Sequence, residues 1–443
     1  MGGWHLGRLR QGMVRSGPVM TRRGTAGAVP TPGLETSSGF SGEPAGLEAT
    51  RKTSFPSLLR LFRVFFGVGS TSFGLAILQS VRSVTVKQGW LSRAEIDEGL
   101  GLVQLYPGAM MVDLVTYIGY RTRRVRGALV AAAGFIAPSL VLTLGLSWLY
   151  TAYGATPGVA SMVIGLDAIV VGVVASVAVD LAAQHVRGRV SALLALAAFA
   201  LAAVGANPLW LVAIGLLVGV VALRTGAAPS VLGSPDETAL SRSRLAIAFV
   251  PAALTLAGVA VAVLAGGMAR DLVSSMATIG SVAFGNGNTI LPVLQQDVVT
   301  THHWLSPAEF GVGVAFGQVT PGPILITAAF VGFRVGGLLG GVLAALAIFA
   351  PSVAMTTVAA EIYPYLRRHS WVKGAIAGIM AAFVGLLAWV ALSMGRQVLT
   401  VPAALVLAAG ALVAIRAFKL SPPVVFGAGL ALWASYLALG GPA

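Results

Sequence analysis

Gln104-Leu105-Tyr106-Pro107-Gly108-Ala109 and Gln318-Val319-Thr320-Pro321-Gly322-Pro323 stand 214 residues apart in a chain of 443. Each interrupts an apolar stretch. Proline removes a backbone donor and clashes with the preceding turn, so a helix breaks at each Pro-Gly. The half-helix that follows begins with free N–H groups and the positive end of its dipole. Such an end attracts an anion without a buried full positive charge.

The two stretches are the centre of a longer repeat. Trp90-Leu91-Ser92 and Glu95 match Trp304-Leu305-Ser306 and Glu309 at the same offset. After the breaks the offset becomes 213: Gly119 matches Gly332, Ala137-Pro138-Ser139 matches Ala350-Pro351-Ser352, Tyr150 matches Tyr363, and Gly165 and Gly172 match Gly378 and Gly385. Upstream, Phe73-Gly74 pairs with Phe284-Gly285. Composition alone does not hold a register over such a length.

The surroundings of the repeat are those of a membrane protein. Hydrophobic residues make up 56% of the chain and charged residues 10%, against roughly 25% charged in an ordinary soluble domain. The mean hydropathy is +0.87. A soluble globule could not hide that much apolar surface, which excludes a water-soluble enzyme or nucleic-acid-binding domain. The absence of Cys excludes disulfides, thiolate metal sites and a cysteine nucleophile. Adjacent His302 and His303 read as loop residues, since two His without further ligands hold no metal. No cofactor, metal site or enzymatic activity is expected.

Residues 1–55 are rich in Gly, Arg, Ser, Thr and Pro and read as a disordered cytoplasmic tail. Thirteen apolar segments follow, at roughly 58–81, 100–120, 127–150, 159–183, 190–205, 208–223, 245–266, 271–293, 310–333, 336–360, 374–395, 399–415 and 423–440, a span needing about 20 residues. The expected fold is an all-α polytopic membrane protein. It has two repeats of about six spans each, 56–225 and 269–443, and a linker over 226–268 with an extra span. The odd number of crossings inverts the second repeat, the plan of secondary transporters that bind substrate near the midplane. With every segment crossing and the N-terminus inside, 23 of 29 basic residues fall on the inner side and the C-terminus lies outside. One loop disagrees: 294–309 falls inside yet holds no Lys or Arg.

The expected substrate site lies where the breaks meet the Gly-rich elements. It comprises Gly69, Ser70, Phe73 and Gly74 with Gln104, Pro107 and Gly108 from the first repeat. The second repeat adds Phe284, Gly285, Asn286, Gly287 and Asn288 with Gln318, Thr320, Pro321, Gly322 and Pro323. Glycine lets backbone approach a ligand, while the Ser, Thr, Asn and Gln side chains offer neutral hydrogen bonds. Asp113 and Asp167 fall inside spans, where a carboxylate is expensive and functional by default. They are the proton-coupling candidates. The plainer alternative is a pairing with Arg121 or a watery vestibule.

Phe284-Gly285-Asn286-Gly287, Leu291-Pro292, Trp304-Leu305, Gln318-Val319-Thr320-Pro321-Gly322-Pro323, Gly332-Phe333 and Phe349-Ala350-Pro351-Ser352 together resemble the chromate transporter family in its long, two-domain form. The resemblance covers roughly 55–180 and 275–390. It implies a transporter of chromate or the similar sulfate anion in the plasma membrane, exporting chromate under the proton motive force and conferring resistance. Transport of another tetrahedral anion, or an anion channel, is the alternative. The partners expected are the anion and the lipid bilayer, with a homodimer compatible and no nucleic acid. The first repeat departs from the family pattern. Leu75-Ala76 follows Phe73-Gly74 where the family has Gly-Pro, and Ala109 stands where it has Pro, which narrows the first half-site.

Overall fold

The computed structural model describes residues 56–73, 76–154, 156–223, 242–285, 287–366, 370–398 and 401–442. The tail expected over 1–55 lies outside them, as do Gly74, Leu75 and Asn286 of the Gly-rich elements. Among the described residues the regular elements are helical. The first repeat contains α1 (Leu58–Thr71), α2 (Ala76–Lys87), α3 (Arg93–Val103), α4 (Met110–Tyr153), α5 (Pro157–His185), α6 (Arg189–Ala203) and α7 (Pro208–Ala222). Helices α8 (Arg242–Ala248) and α9 (Val250–Ala265) form the linking span. The second repeat contains α10 (Gly267–Ser281), α11 (Leu291–Gln295), α12 (Pro307–Val319), α13 (Thr327–Leu366), α14 (Ser370–Val398), α15 (Pro402–Arg416) and α16 (Pro422–Ala438).

The repeated Trp-Leu-Ser-x-x-Glu is a helix start. In α3 and in α12 the serine hydroxyl (Ser92, Ser306) accepts the N–H of the glutamate three residues on, and that carboxylate accepts the serine N–H. Two orphan donors are satisfied reciprocally in each case. The other oxygen of the same glutamate reaches an arginine far along the chain. Glu95 pairs with Arg121 at 3.3 Å and Glu309 with Arg334 at 2.5 Å.

Those two ion pairs determine the path of the broken helices. A straight helix would separate Glu95 from Arg121 by about 39 Å at 1.5 Å per residue. The chain therefore reverses at Pro107-Gly108, and again at Pro321-Gly322. Tyr117 lying against Gly99, and Phe330 against Gly313, mark the same antiparallel pairing at equivalent positions. The Gly-rich elements reverse too. Arg60 donates to Gln88 at 2.7 Å across the break between α1 and α2, and Ser275 donates to Asp297 across the break after α10. Each repeat thus begins with two helical hairpins, each folded back at a Gly-rich or Pro-Gly break.

A third reversal lies within α4 and α13. Arg123-Arg124 takes φ/ψ of −140/25 and 55/−147, and Gly336-Gly337 takes −140/27 and 61/−152. The two turns are the same turn, one built from arginines and one from glycines. Past it, Gly119 faces the Gly127 carbonyl and Gly332 faces the Gly340 carbonyl, so close that a Cβ would collide.

The repeats interlock. Helix α14 packs against α6 and α7 of the first repeat, and α5 packs against α15 and α16 of the second. Small residues allow the approach: Gly219 meets Gly374 and Gly215 meets Gly378, while Gly172 meets Ala408 and Gly385 meets Ala195. At the centre α4 and α13 pack on each other, with α1 and α10 against their outer limbs. Among the described residues five segments are long and apolar enough, by length and composition, to cross a bilayer. Outer-face side chains such as Trp210, Val221, Leu256 and Leu264 are exposed, as lipid contact requires. Between the starts of α1 and α10 the crossings are the second limb of α4, α5, α6, α7 and the α8–α9 span. Their number is odd whether or not the α6–α7 pair is counted, so the second repeat is inverted.

The folded-back hairpins make a direct topological prediction. The chain holds no Cys, so Lys87→Cys, Arg126→Cys and His303→Cys each give a unique label site at an exposed position. Positions 87 and 126 are expected to react with an impermeant thiol reagent from one side and 303 from the other; labelling of 87 opposite 126 would mean that the hairpins cross. A second prediction concerns the tight turn. Gly337 has open space where a Cβ would stand, so Gly337→Ala tests backbone strain alone. It should lower stability by about 1–3 kcal/mol, read as a lower unfolding temperature in detergent, and an unchanged temperature would contradict the turn.

Candidate functional site

The four breaks meet in two symmetric pairs. Gly108 N–H donates to the Ala283 carbonyl at 2.5 Å, and Gly322 N–H donates to the Ser72 carbonyl at 3.2 Å. Met110 N–H adds a bond to the Gly285 carbonyl at 3.0 Å. Each Pro-Gly break is therefore satisfied by the Gly-rich break of the other repeat. Positive φ values at Gly285 (69°), Gly287 (90°) and Gly322 (111°) place these positions where only glycine is unstrained.

Second-repeat residues named from the sequence gather closely. Gln318, Asn288 and Thr320 are buried, as are Pro321, Gly322 and Pro323. Gln318 Nε2 donates to Asn288 Oδ1 at 2.8 Å, tying α12 to the stretch that follows α10. Thr320 donates to the Phe316 carbonyl at 2.7 Å, and the Phe284 carbonyl accepts from Thr289. The Phe284 ring is buried and packs against Phe383.

The first-repeat residues are distributed differently. Gly69 is a packing residue: a Cβ there would strike the Phe135 carbonyl, as one at Gly280 would strike that of Ile348. Its own carbonyl nevertheless lies near Gly322. Ser70 donates to the Phe66 carbonyl of its own helix at 2.7 Å, and Phe73 is half-buried. Gln104 is exposed, beyond half-buried Pro107 and buried Gly108. The residue four past Phe284 is Asn288, whereas the residue four past Phe73 is Ile77, so the amide pair of the second repeat has no copy in the first.

Two serines join the site without having been singled out. Ser352 Oγ accepts the Ala109 N–H at 2.9 Å, a bond that a proline at that position could not make. A Cβ built on Gly322 would stand 3.0 Å from Ser139 Oγ, its repeat-related counterpart. Both belong to the repeated Ala-Pro-Ser, whose spacing was visible but whose direction was not.

Asp113 is fully buried in the first turn of α4. Its Oδ1 lies 3.2 Å from the Thr356 hydroxyl, which also lies 2.7 Å from the Ser352 carbonyl and accepts from Tyr106 at 2.8 Å. Its Oδ2 has no hydrogen-bond partner among the described residues. Arg121, the alternative partner weighed from sequence, is held by Glu95. Asp167 lies elsewhere, on α5 against Gly311 of α12, with Oδ1 likewise without a hydrogen-bond partner among the described residues. Gln318 is seven residues beyond Gly311, about 10 Å along the helix. Among the described residues no group of His, Cys, Asp or Glu could hold a metal ion.

The donors gathered here are bonded within the protein: Gly108, Met110 and Gly322 N–H to carbonyls of the other repeat, Thr320 and Ser139 to carbonyls of their own helices, and Gln318 to Asn288. Comparison with known proteins gives the family. A family model described as chromate transporter matches residues 59–220 and 270–434. The chromate transport protein of Cupriavidus metallidurans is 30% identical over 386 residues, 85% of this chain and 92% of that protein. The probable chromate transport protein of Synechococcus elongatus is 28% identical over 347 residues, 77% of this chain and 85% of the other. That of Pseudomonas aeruginosa, a chromate transport protein, is 27% identical over 343 residues, 74% of this chain and 79% of the other. No solved structure matches. On two matched repeats and a relative aligned over most of both chains, this multi-pass membrane protein belongs to the chromate transporter family.

Proposed function

We propose that this chain carries chromate, or a tetrahedral anion of similar size such as sulfate, by alternating access between its two inverted repeats, in the direction of efflux and at the expense of the proton motive force. The observation that carries the reading is the meeting of the breaks: each Pro-Gly break bonds the Gly-rich break of the opposite repeat. A seat built across the repeat interface is altered whenever one repeat moves against the other, which is what alternating access needs.

In this proposal the anion is held on the second-repeat side by Gly285, Gly287, Asn288, Gln318, Thr320 and Gly322, with Ser139 supplied by the first repeat. Phe284, Pro321 and Pro323 shape the seat. The first-repeat counterpart is Pro107, Gly108 and Ser352. Asp113 and Asp167, both carrying a buried oxygen without a hydrogen-bond partner among the described residues, are the proton-coupling residues. The division into a tail over 1–55, repeats over 56–225 and 269–443 and a linking segment over 226–268 belongs to the same proposal.

The N-terminus is cytoplasmic and the C-terminus outside in this reading. Folding the hairpins back moves Arg82, Lys87 and Arg93 to the inner side, so that 26 of 29 basic residues lie there. It also takes 294–309, which has no Lys or Arg, to the outer side, and removes the disagreement that a straight path creates.

Uptake of chromate into proteoliposomes, competed by sulfate, molybdate and phosphate and repeated with and without a pH gradient, is the test. Saturable, gradient-dependent chromate flux is expected. Gly322→Leu, which fills a position with φ of 111° beside Ser139, should reduce that flux at least tenfold in protein that still reconstitutes. Movement of no tetrahedral anion, or full activity of Gly322→Leu, would refute the assignment, and non-saturating flux would mark a channel.

A further inference from the structure

The two breaks are alike in backbone and unlike in charge. In the first repeat the half-helix starting at Met110 carries its own anion: Asp113 is fully buried in the first turn, and its carboxylate rests against the Gly108 Cα. A negative charge at a helix N-terminus is favourable, so this carboxylate fills the place that a substrate anion would take. Its Oδ2 is buried without a hydrogen-bond partner among the described residues and faces the break. In the second repeat neither Ile326 nor Thr327, the residues related to Asp113 at offsets of 213 and 214, carries a charge. That break instead has the Gln318–Asn288 amide pair and Ser139.

Neighbouring residues serve the two places. The Ala283 and Gly285 carbonyls accept from Gly108 and Met110, and Asn288 accepts from Gln318. Among the described residues Asp113 meets Thr356 and Ser352 of α13, Gly108 of the first break and, through Thr356, Tyr106. Tyr106 is the one titratable group among these. On its own helix the next charge is Arg121, which is paired with Glu95.

We propose that Asp113 is a tethered competitor of the substrate. While ionised it holds the first break against an anion and repels one seated at the second, and taking up a proton it yields both. This rests on the reading of the breaks as an anion site, and deepens it by assigning Asp113 as the residue that couples proton and anion. The proton sits on a carboxylate oxygen of Asp113 and no bond of the oxyanion is made or broken. Dianion and proton are taken up together, so the loaded protein carries one net negative charge. Export is driven by the inside-negative membrane potential of the proton motive force rather than by its pH gradient. The sign follows: binding tightens as pH falls, by up to about tenfold per pH unit when one proton is taken up per anion.

Sulfate is the probe, because it remains a dianion across the range used, whereas chromate itself takes up a proton near neutrality. Sulfate binding to the full-length protein in detergent is measured by calorimetry between pH 6 and pH 8. Wild type should bind more tightly at the lower pH. Asp113→Asn should bind at pH 8 at least tenfold more tightly than wild type, with no pH dependence, and should lose accumulation driven by a pH gradient. Asp113→Glu should restore the slope, and Asp113→Ser stands in where the Asn variant does not fold. A flat wild-type profile, or an Asn or Ser variant that keeps the wild-type slope, would overturn the inference and leave the anion site intact. Binding of neither sulfate nor chromate by wild type at any pH would instead overturn the proposed function, and this inference with it.

Discussion

A helix broken inside a membrane leaves peptide groups that no water can satisfy, and their satisfaction organises this protein. The four breaks solve the problem pairwise. Gly108 N–H finds the Ala283 carbonyl, and Gly322 N–H finds that of Ser72. Neither repeat can complete its own break, so the two must assemble against each other. The exchange of α6–α7 onto α14 and of α15–α16 onto α5 fixes the same interface from outside. The backbone polarity of the four breaks is thereby concentrated at the interface between the repeats.

Much of this plan was legible in the residues. The offset of 214 that becomes 213 ran through both breaks, and the structure gives the capping serines and glutamates, Gly99 and Gly313, Gly119 and Gly332, and Gly172 and Gly385 matched contacts. What hydropathy could not show was direction. An apolar stretch such as 58–81 has the same composition whether it crosses or returns, and contacts such as Arg60 with Gln88 and Phe65 with Trp90 separate the two paths. A signal was present in Glu95 and Arg121 with Glu309 and Arg334, a charge of each sign at repeat-related positions on either side of each break. The loop 294–309 was a second signal, a loop without a basic residue that a straight path assigns to the inner side.

The candidate residues gather in one half more than the other. Gln318, Asn288, Thr320 and Gly322 are buried, with Gln318 bonded to Asn288. Gln104 is exposed, and Ile77 stands where an amide partner would be needed. Gly69 was read as room for a ligand and proves to be room for the Phe135 backbone; a glycine looks the same in sequence for either use. In sequence Ser139 and Ser352 are repeat markers only, since nothing in Ala-Pro-Ser states which way the hydroxyl points. Repeats constrain the backbone to near-symmetry, while side chains remain free to diverge. Asp113 against Ile326 or Thr327 is the sharpest such divergence.

An oxyanion seated where the breaks of the two repeats meet, as proposed, is tested most directly by locating chromium itself, by anomalous diffraction from crystals of the protein grown with chromate. A chromium peak bounded by Gly322, Ser139 and the Gln318–Asn288 pair is the predicted result. A peak at the arginine-rich turn of α4, or anywhere outside the meeting of the breaks, would contradict the account.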